Sequence, residues 1–258
     1  MSDVIVLCYH AVSERWETAL SVTPKSLEEQ LGLLAERGYR GATFEQALSA
    51  PPYERTVALT FDDAFRSVYD IAFPILSRLG FPAALFVPTR RIGGDGPMAW
   101  PGIDHWVGGP EERELIPMSW EQVEELADAG WEIGAHTRFH PHLPELEDAA
   151  LTTELQGSRD DCEQRLGRPC PSLAYPYGDF DERVIEAAGL AGFRYAGTLD
   201  RFERARPLRW PRIGVYRRDD LERFRLKVSP TVRRLRGSAA WPFLSGGRDL
   251  LRGWRRRR

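Results

Sequence analysis

The sequence predicts an α/β fold, a distorted (β/α)7 barrel of the TIM type, on three observations. Short apolar runs rich in β-branched residues alternate with segments of helical periodicity, which is the pattern of parallel strands joined by helices. Six or seven such steps occupy roughly 230 residues, a size that fits a barrel. Residues with catalytic potential gather just after the strand segments, where a barrel of this type builds its active site. An open doubly wound sheet is the alternative.

The elements follow in order along the chain. Strands are predicted at residues 4–10, 57–63, 83–89, 132–137, 172–177, 194–199 and 213–216. Helices are predicted at residues 26–38, 67–80, 119–130, 151–167 and 182–192. Leu27, Leu31 and Leu34 form an apolar stripe on the first helix, and Ser119 with Gln122 forms a capping box on the third. Glycines mark helix ends at Gly38, Gly80, Gly130 and Gly167.

Composition and charge restrict the class of protein. Of 258 residues, 42% are hydrophobic and 28% are charged, which excludes collagen-like, disordered and disulfide-dense chains. The net charge of −3 conceals an uneven distribution. Residues 201–258 hold 18 Arg and one Lys against five acidic residues, so this end carries +14 and residues 1–200 carry −17.

The cysteines and the first residues predict a compartment. Cys8, Cys162 and Cys170 suit a reducing environment, and we expect all three to be unpaired. The longest early apolar run, residues 4–9, is too short for a signal sequence or a membrane span. We therefore expect a cytoplasmic protein.

Reactive side chains follow several of the predicted strands and suggest a metal centre. Two imidazoles four residues apart, His136 and His140, can face one ion, and an aspartate completes three protein ligands with positions left for water. Zinc is the leading candidate, with cobalt, nickel or manganese as alternatives. Because neighbouring strand residues point to opposite faces, Asp63 is predicted as the ligand and Asp62 as a general base. Hydrogen-bonded structural histidines and a solvated acidic turn are the alternatives.

Two of these segments resemble motifs of a known family. The TFDD sequence at residues 60–63 and the HTRFH sequence at residues 136–140 are similar to the first two signature motifs of the polysaccharide deacetylase family, also called carbohydrate esterase family 4 or the NodB-homology domain. The resemblance covers roughly residues 4–220. It implies a distorted (β/α)7 barrel, a divalent metal, and removal of acetyl groups from N-acetylated sugars. It assigns the base to Asp62 and the metal ligands to the three residues named above.

The third motif departs from the family pattern. The family has Arg-x-Pro-Tyr where this chain has Ala-Tyr-Pro-Tyr at residues 174–177, so the arginine that helps to hold the catalytic base is absent. We expect Arg212 to replace it, because an arginine fork can fix a carboxylate and keep it ionised. A surface arginine is the alternative. The resemblance also implies that the backbone N–H of Tyr177 stabilises the oxyanion of the reaction.

The family's last motif, a Leu-x-His that supplies the general acid, is absent as well, since no histidine follows His142. The pair Tyr9 and His10 is similar to the N-terminal Tyr-His of poly-N-acetylglucosamine deacetylases, a branch that carries its acid histidine there. The first and last strands of a closed barrel are neighbours, so we expect His10 to be the general acid. A core-facing histidine is the alternative.

Four residues are predicted to contact the substrate. They are Tyr9, Trp100, Trp120 and Pro176. The two tryptophans lie in or just after residues 90–117, a long Gly/Pro-rich insertion where such a fold builds its substrate loops, and can stack on sugar faces. Core packing is the alternative for any one of them.

Residues 230–258 fall outside the predicted barrel domain of residues 1–229. Aromatic and leucine residues are interleaved with arginines in this tail, which is typical of a segment on an anionic membrane surface. We expect the tail to hold the protein at the inner face of the membrane, and we expect no nucleic-acid partner. A solvated, partly disordered tail is the alternative.

The sequence therefore predicts a metal-dependent carbohydrate N-deacetylase. Its substrate would be an N-acetylated poly- or oligosaccharide or a lipid-linked glycan intermediate. An amidohydrolase of the same fold acting on a non-sugar amide is the alternative, because fold does not determine substrate. A non-catalytic carbohydrate-binding protein is disfavoured, since the predicted base, acid and metal ligands are all present.

Overall fold

A barrel of parallel strands forms the centre of the computed structural model, which describes residues 3–94, 96–199 and 205–236. In chain order the strands are β1 (Asp3–Tyr9), β2 (Ala11–Val12), β3 (Ser21–Val22), β4 (Arg40–Ala42), β5 (Arg55–Phe61), β6 (Ala84–Val87), β7 (Glu132–Ala135), β8 (Ser172–Ala174), β9 (Tyr195–Thr198), β10 (Trp210–Pro211) and β11 (Ile213–Gly214). Among the described residues, eight strands form a nearly closed barrel in the order β10-β9-β8-β7-β6-β5-β1-β11. β4 pairs with β5 outside this path, and β2 pairs with β3. The predicted barrel is confirmed.

One short segment joins the two ends of the sheet. β10 pairs with β9 and β11 pairs with β1, although only Arg212 separates β10 from β11. The N–H of Arg212 donates to the carbonyl of Thr198 at 2.9 Å, and its side chain is buried against Gly197. A Cβ on Gly197 would stand 2.5 Å from Nε of Arg212, so only glycine leaves room for this arginine. The last strand is thus divided at the residue that enters the barrel.

Helices surround the strands, and several of them begin with a side-chain cap. They are α1 (Pro24–Glu36), α2 (Phe44–Ser49), α3 (Phe73–Leu79), α4 (Trp120–Asp128), α5 (Asp148–Leu166), α6 (Glu182–Leu190), α7 (Leu221–Lys227) and α8 (Pro230–Arg236). The predicted capping box of Ser119 and Gln122 is present at the start of α4. Thr43 and Gln46 form a second such box on α2. These caps satisfy backbone N–H groups that a helix start leaves unpaired.

The predicted helix at residues 67–80 has two parts. A π-helix, Val68–Ala72, precedes α3, and the N–H of Phe73 donates to the carbonyl of Val68. Pro74 comes next and has no N–H, and its ring clashes with carbonyls of an ordinary preceding helical turn. The wider π turn moves those carbonyls away from the ring.

The last described helix contacts the first strand. Arg233 of α8 donates to the carbonyl of Val4 at 3.1 Å and pairs with the carboxylate of Asp3. α8 lies within the predicted tail, whose remaining residues, 237–258, are outside the described part of the chain. None of the described helices combines the length and apolar character that a membrane span requires.

Candidate active site

Side chains from several strand ends surround one cavity of about 330 Å³. His10 follows β1, Asp62 and Asp63 follow β5, and His136 and His140 follow β7. Parallel strands of a barrel end on one side, which brings residues distant in sequence together. None of the five is more than 9% exposed, so their charges interact with little screening by water.

Asp63, His136 and His140 form a set of metal-binding donors. Asp63 Oδ1 lies 3.3 Å from Nε2 of His136 and 3.4 Å from Nε2 of His140. This buried oxygen makes no hydrogen bond with a described residue. His136 Nδ1 lies 2.7 Å from the carbonyl oxygen of Ala174, a contact that orients the ring with Nε2 toward Asp63. A carboxylate oxygen facing two imidazole nitrogens fits a zinc site with positions left open for other ligands.

Burial and neighbouring charge act in opposite directions on these groups. Burial raises the pKa of Asp63, but the two imidazoles beside it lower the pKa more, to well below its usual range. Burial lowers the pKa of His140. At His136 the neighbouring aspartates outweigh burial and raise the pKa. Asp63 is therefore ionised, as a metal ligand must be.

Backbone strain is concentrated at this site. In the described ranges, five non-glycine residues have positive φ, and all belong to these strand-end segments. They are Asp63 (72°), Ala64 (56°), Thr137 (63°), His140 (63°) and Tyr177 (59°). Each such residue costs roughly 1–3 kcal/mol, so the surrounding packing must hold it in place. The sharp turns that result direct nearby polar side chains toward the cavity.

Helix α5 holds the loop that carries the two histidine ligands. Oε2 of Glu154 accepts the backbone N–H of Arg138 at 2.8 Å and that of Phe139 at 3.0 Å. Asp161 lies seven residues further along α5, and its Oδ2 accepts a hydrogen bond from Nε of Arg138 at 3.0 Å. A Cβ on Gly157 would lie 2.8 Å from Cδ of Arg138, so glycine lets that side chain cross the helix. Sequence reasoning missed this contact, although the seven-residue spacing of two acids beside buried leucines was a possible signal.

Arg212 contacts both oxygens of Asp62. Its Nη1 donates to Oδ1 and its Nη2 to Oδ2, each at 2.7 Å, and Nη1 also donates to Oγ1 of Thr60 at 2.9 Å. Burial raises the pKa of Asp62, but the charge and hydrogen bonds of Arg212 lower it more, to about 2. Asp62 is therefore ionised at neutral pH, and Arg212 is the cation that keeps it so.

His10 lies on the same cavity wall as Asp62. Its side chain is 9% exposed, and its Nδ1 has no hydrogen-bond partner among the described residues. Cys8 lies two residues before His10 in the chain, and its Sγ is 3.4 Å from Oδ2 of Asp62. A histidine nitrogen beside an ionised carboxylate is available for proton transfer within the cavity.

Aromatic rings cover the histidine ligands. Trp100 stacks on His140 with ring centroids 4.4 Å apart, and Tyr177 meets His140 edge-on at 4.5 Å. Tyr177 also stacks on His142 at 3.9 Å. Both Trp100 and Tyr177 line the cavity, which leaves an aromatic surface next to the metal-binding donors.

The structure does not bring the other three predicted substrate residues to this cavity. Tyr9 stacks on Phe61 in the core and donates its hydroxyl to Gln30 Oε1 at 3.0 Å. Pro176 is buried in the turn after β8, and Trp120 lies at the start of α4 under Arg165. Strand alternation explains the position of Tyr9, because neighbouring residues of a strand point to opposite faces of the sheet and His10 faces the cavity. Loop residues that sequence reasoning missed also line the cavity: Leu20, Ile103, Leu199 and Tyr216.

A family model described as polysaccharide deacetylase matches residues 49–196, more than half of the chain. The chain belongs to the polysaccharide deacetylase family. The matched range contains the proposed base and metal ligands of this deacetylase family member: Asp62, Asp63, His136 and His140. It excludes His10 and Arg212. The two residues expected to replace the missing motif residues therefore lie before and after the range that the family model matches.

Comparisons with known proteins give two curated relatives of this polysaccharide deacetylase family member. It is 26% identical over 200 residues to a putative polysaccharide deacetylase of Bacillus subtilis, which covers 76% of this chain and 64% of that protein. It is 26% identical over 192 residues to the poly-beta-1,6-N-acetyl-D-glucosamine N-deacetylase of Staphylococcus epidermidis, which covers 69% and 61%. The chain thus spans less than two thirds of the length of each relative.

A solved structure shares the fold. The deacetylase PplD of Streptococcus pyogenes, in complex with acetate, is similar with a TM-score of 0.72 and 24% identity. The similarity covers 88% of this chain and 98% of that chain. It therefore extends over most of the barrel and beyond the range that the family model matches.

Proposed function

We propose that this protein is a divalent-metal-dependent deacetylase that hydrolyses the acetamide group of an N-acetylated sugar. One observation carries the proposal. Arg212 holds the ionised carboxylate of Asp62. This carboxylate lines the same cavity as a buried set of metal-binding donors: Asp63, His136 and His140. A fixed base beside a three-ligand metal set is the equipment of metal-assisted hydrolysis.

Asp63, His136 and His140 would hold the metal. When bound, a divalent cation supplies Lewis acidity, which polarises a carbonyl and makes water more acidic. The buried Asp63 Oδ1, which lacks a hydrogen bond from the described residues, would gain its missing partner. His136, oriented through Ala174, would present Nε2 to the ion.

Asp62 would act as the general base. Its pKa of about 2 keeps it ionised, and it would accept the proton of the attacking water. Arg212 would serve as a positioning residue, because its two hydrogen bonds restrict the carboxylate to one orientation. The backbone N–H of Tyr177 would donate to the oxyanion as the carbonyl carbon becomes tetrahedral.

His10 would act as the general acid. Amide cleavage leaves an amine, which needs a proton as the C–N bond breaks. His10 faces the same cavity as Asp62 and has an uncommitted Nδ1 among the described contacts. Acetate and a free amino sugar would then be the products.

The cavity suits one sugar unit. Its volume of about 330 Å³ lies at the lower end of the usual range for small-ligand pockets, and Trp100 offers a ring face on which a sugar can stack. The Staphylococcus epidermidis relative is named for a poly-N-acetylglucosamine substrate. We therefore propose N-acetylglucosamine units of a glycan as the substrate class, with a non-sugar amide as the alternative.

Acetate release from a panel of N-acetylated sugars tests the proposal. The panel contains poly- and oligo-N-acetylglucosamine, sugar nucleotides and lipid-linked glycans, each assayed with and without a metal chelator. We expect release from at least one glycan, loss of release with chelator, and recovery when zinc is returned. No release from any sugar, with release from simple non-sugar amides, would favour the amidohydrolase alternative.

A further inference from the structure

A second cluster of metal-binding side chains lies beside the proposed base. Cys8, His10 and Asp62 are buried, and one donor atom of each lies within 4.8 Å of the other two. Cys8 Sγ is 3.4 Å from Asp62 Oδ2. His10 Nδ1 is buried without a hydrogen-bond partner among the described residues. This cluster shares no residue with the set of Asp63, His136 and His140.

We propose that Cys8, His10 and Asp62 form a second zinc site whose occupation inhibits the enzyme. Thiolate, imidazole and carboxylate are all zinc ligands. This cluster differs from the first donor set in containing sulfur, whereas the first set offers only nitrogen and oxygen. A thiolate ligand favours soft cations. His10 and Asp62 both line the cavity, so a cation can arrive from the solvent side.

Inhibition follows from the residues that the second cation would occupy. The inference rests on the proposed function, in which Asp62 takes a proton and His10 gives one. A zinc ion bound to both would leave neither free for proton transfer. The enzyme would therefore require a first equivalent of zinc and lose activity with a second.

The second site would be weaker than the first. As the zinc–sulfur bond forms, the Cys8 thiol loses its proton to solvent and its weak hydrogen bond to Asp62. The thiol is completely buried, so replacing its proton by a cation requires that charge be transferred from water to the interior, which costs free energy. Asp62 can keep both hydrogen bonds from Arg212, because each carboxylate oxygen has two lone pairs. The arginine's positive charge nevertheless opposes a nearby cation.

Metal binding by the full chain tests the site without substrate. Equilibrium dialysis of the metal-free protein against rising zinc concentrations should give one equivalent per chain, then a second at higher concentration. Titration with cobalt should add thiolate-to-cobalt charge-transfer absorption with the second equivalent only. The variant Cys8→Ala should lose the second equivalent and the absorption. The control Cys162→Ala, which removes another buried free cysteine, should keep both.

Acetate release supplies the functional outcome. Activity of the wild-type protein should rise with the first equivalent and fall with the second, and the fall should be absent in Cys8→Ala. A single equivalent in the wild-type protein, or a second equivalent without thiolate absorption, would overturn the proposal. The wild-type cobalt spectrum decides this even if Cys8→Ala does not fold. A second equivalent with thiolate absorption in a protein that releases no acetate would support the site and contradict only the proposed function.

Discussion

Arg212 and Asp62 show how much one buried pair contributes at the scale of single residues. Arg212→Ala would leave a buried carboxylate without its counter-charge, a change that costs about 3–5 kcal/mol. We expect a lower Tm and loss of acetate release. Arg212→Lys keeps the charge without the planar fork, so we expect an intermediate effect. The exposed Arg218→Ala is the control, and a comparable loss there would contradict the assigned role.

The same pair predicts a pH dependence of stability. Asp62 has a usual pKa of 3.8 and a pKa of about 2 in the folded protein. A lowered pKa stabilises the fold fully above pH 3.8, and this contribution disappears as the pH falls toward 2. In Arg212→Ala, the charge and hydrogen bonds of Arg212 no longer lower the pKa of Asp62, so the loss of stability between pH 3.8 and 2 should be smaller than in the wild-type protein. Urea unfolding between pH 2.5 and 7 measures both profiles.

His10 makes a separate prediction about proton donation. We expect His10→Ala to reduce acetate release by roughly 10²–10⁴-fold, the usual contribution of a general acid. Metal content should remain near one equivalent per chain, because His10 is not among the first three ligands. Assays of kcat and metal analysis on the same preparation check this. Retained turnover would show that another group protonates the amine.

Sequence reasoning at this scale reached residues that stand in contiguous motifs. Two aspartates are adjacent, Asp62 and Asp63, and two histidines are four residues apart, His136 and His140. Their spacing therefore predicts a metal site with a base beside it. Glu154 accepts from backbone N–H groups 15 and 16 residues away, and its seven-residue spacing from Asp161 does not by itself identify those partners. Tyr9 was misplaced because its motif neighbour His10 faces the cavity, whereas Tyr9 is packed in the core.

At the scale of elements, α5 and the histidine loop form one unit. Glu154→Ala removes the acceptor of two N–H groups, so His140 should lose its fixed position. We expect zinc affinity to fall about 10–100-fold, as for other residues that support ligands. Glu154→Gln should retain most affinity, because a single oxygen accepts both bonds. The exposed Gln156→Ala is the control.

Competition with a chelator measures these affinities without substrate. A fall in kcat with unchanged zinc affinity in Glu154→Ala would contradict this role for α5. An equal loss in Glu154→Gln would indicate that the negative charge, and not the hydrogen bonds, matters. Thermal unfolding of the metal-free variants separates both results from general destabilisation.

Elements with a clear apolar period were predictable, whereas several of the shortest strands were not. The alternation of strands and helices follows from apolar runs and glycine ends, and it produced the barrel. β2, β3 and β4 have only two or three residues each, too few to show a period. The π-helix before α3 depends on hydrogen bonding around Pro74, which apolar spacing does not reveal.

At the scale of the whole molecule, the charge distribution predicts a role for the basic end. Residues 238–258, which lie outside the described part of the chain, contain six arginines among aromatic and leucine residues. Their deletion should abolish sedimentation with anionic vesicles and leave acetate release from a soluble glycan unchanged. Zwitterionic vesicles are the control, because each arginine gains about 1 kcal/mol only near anionic lipid. Equal sedimentation of the full-length and the truncated protein with anionic vesicles would favour a solvated tail.

The divided last strand has a consequence for the order in which the protein becomes active. All three proposed metal ligands and the proposed base precede residue 141, whereas Arg212 enters with the segment that joins β9 to β1. A growing chain that ends before this segment already contains the ligands but lacks the cation that keeps Asp62 ionised in its buried position. The proposed hydrolysis therefore depends on closure of the barrel, because Arg212 joins the site after the proposed ligands and base have been synthesised.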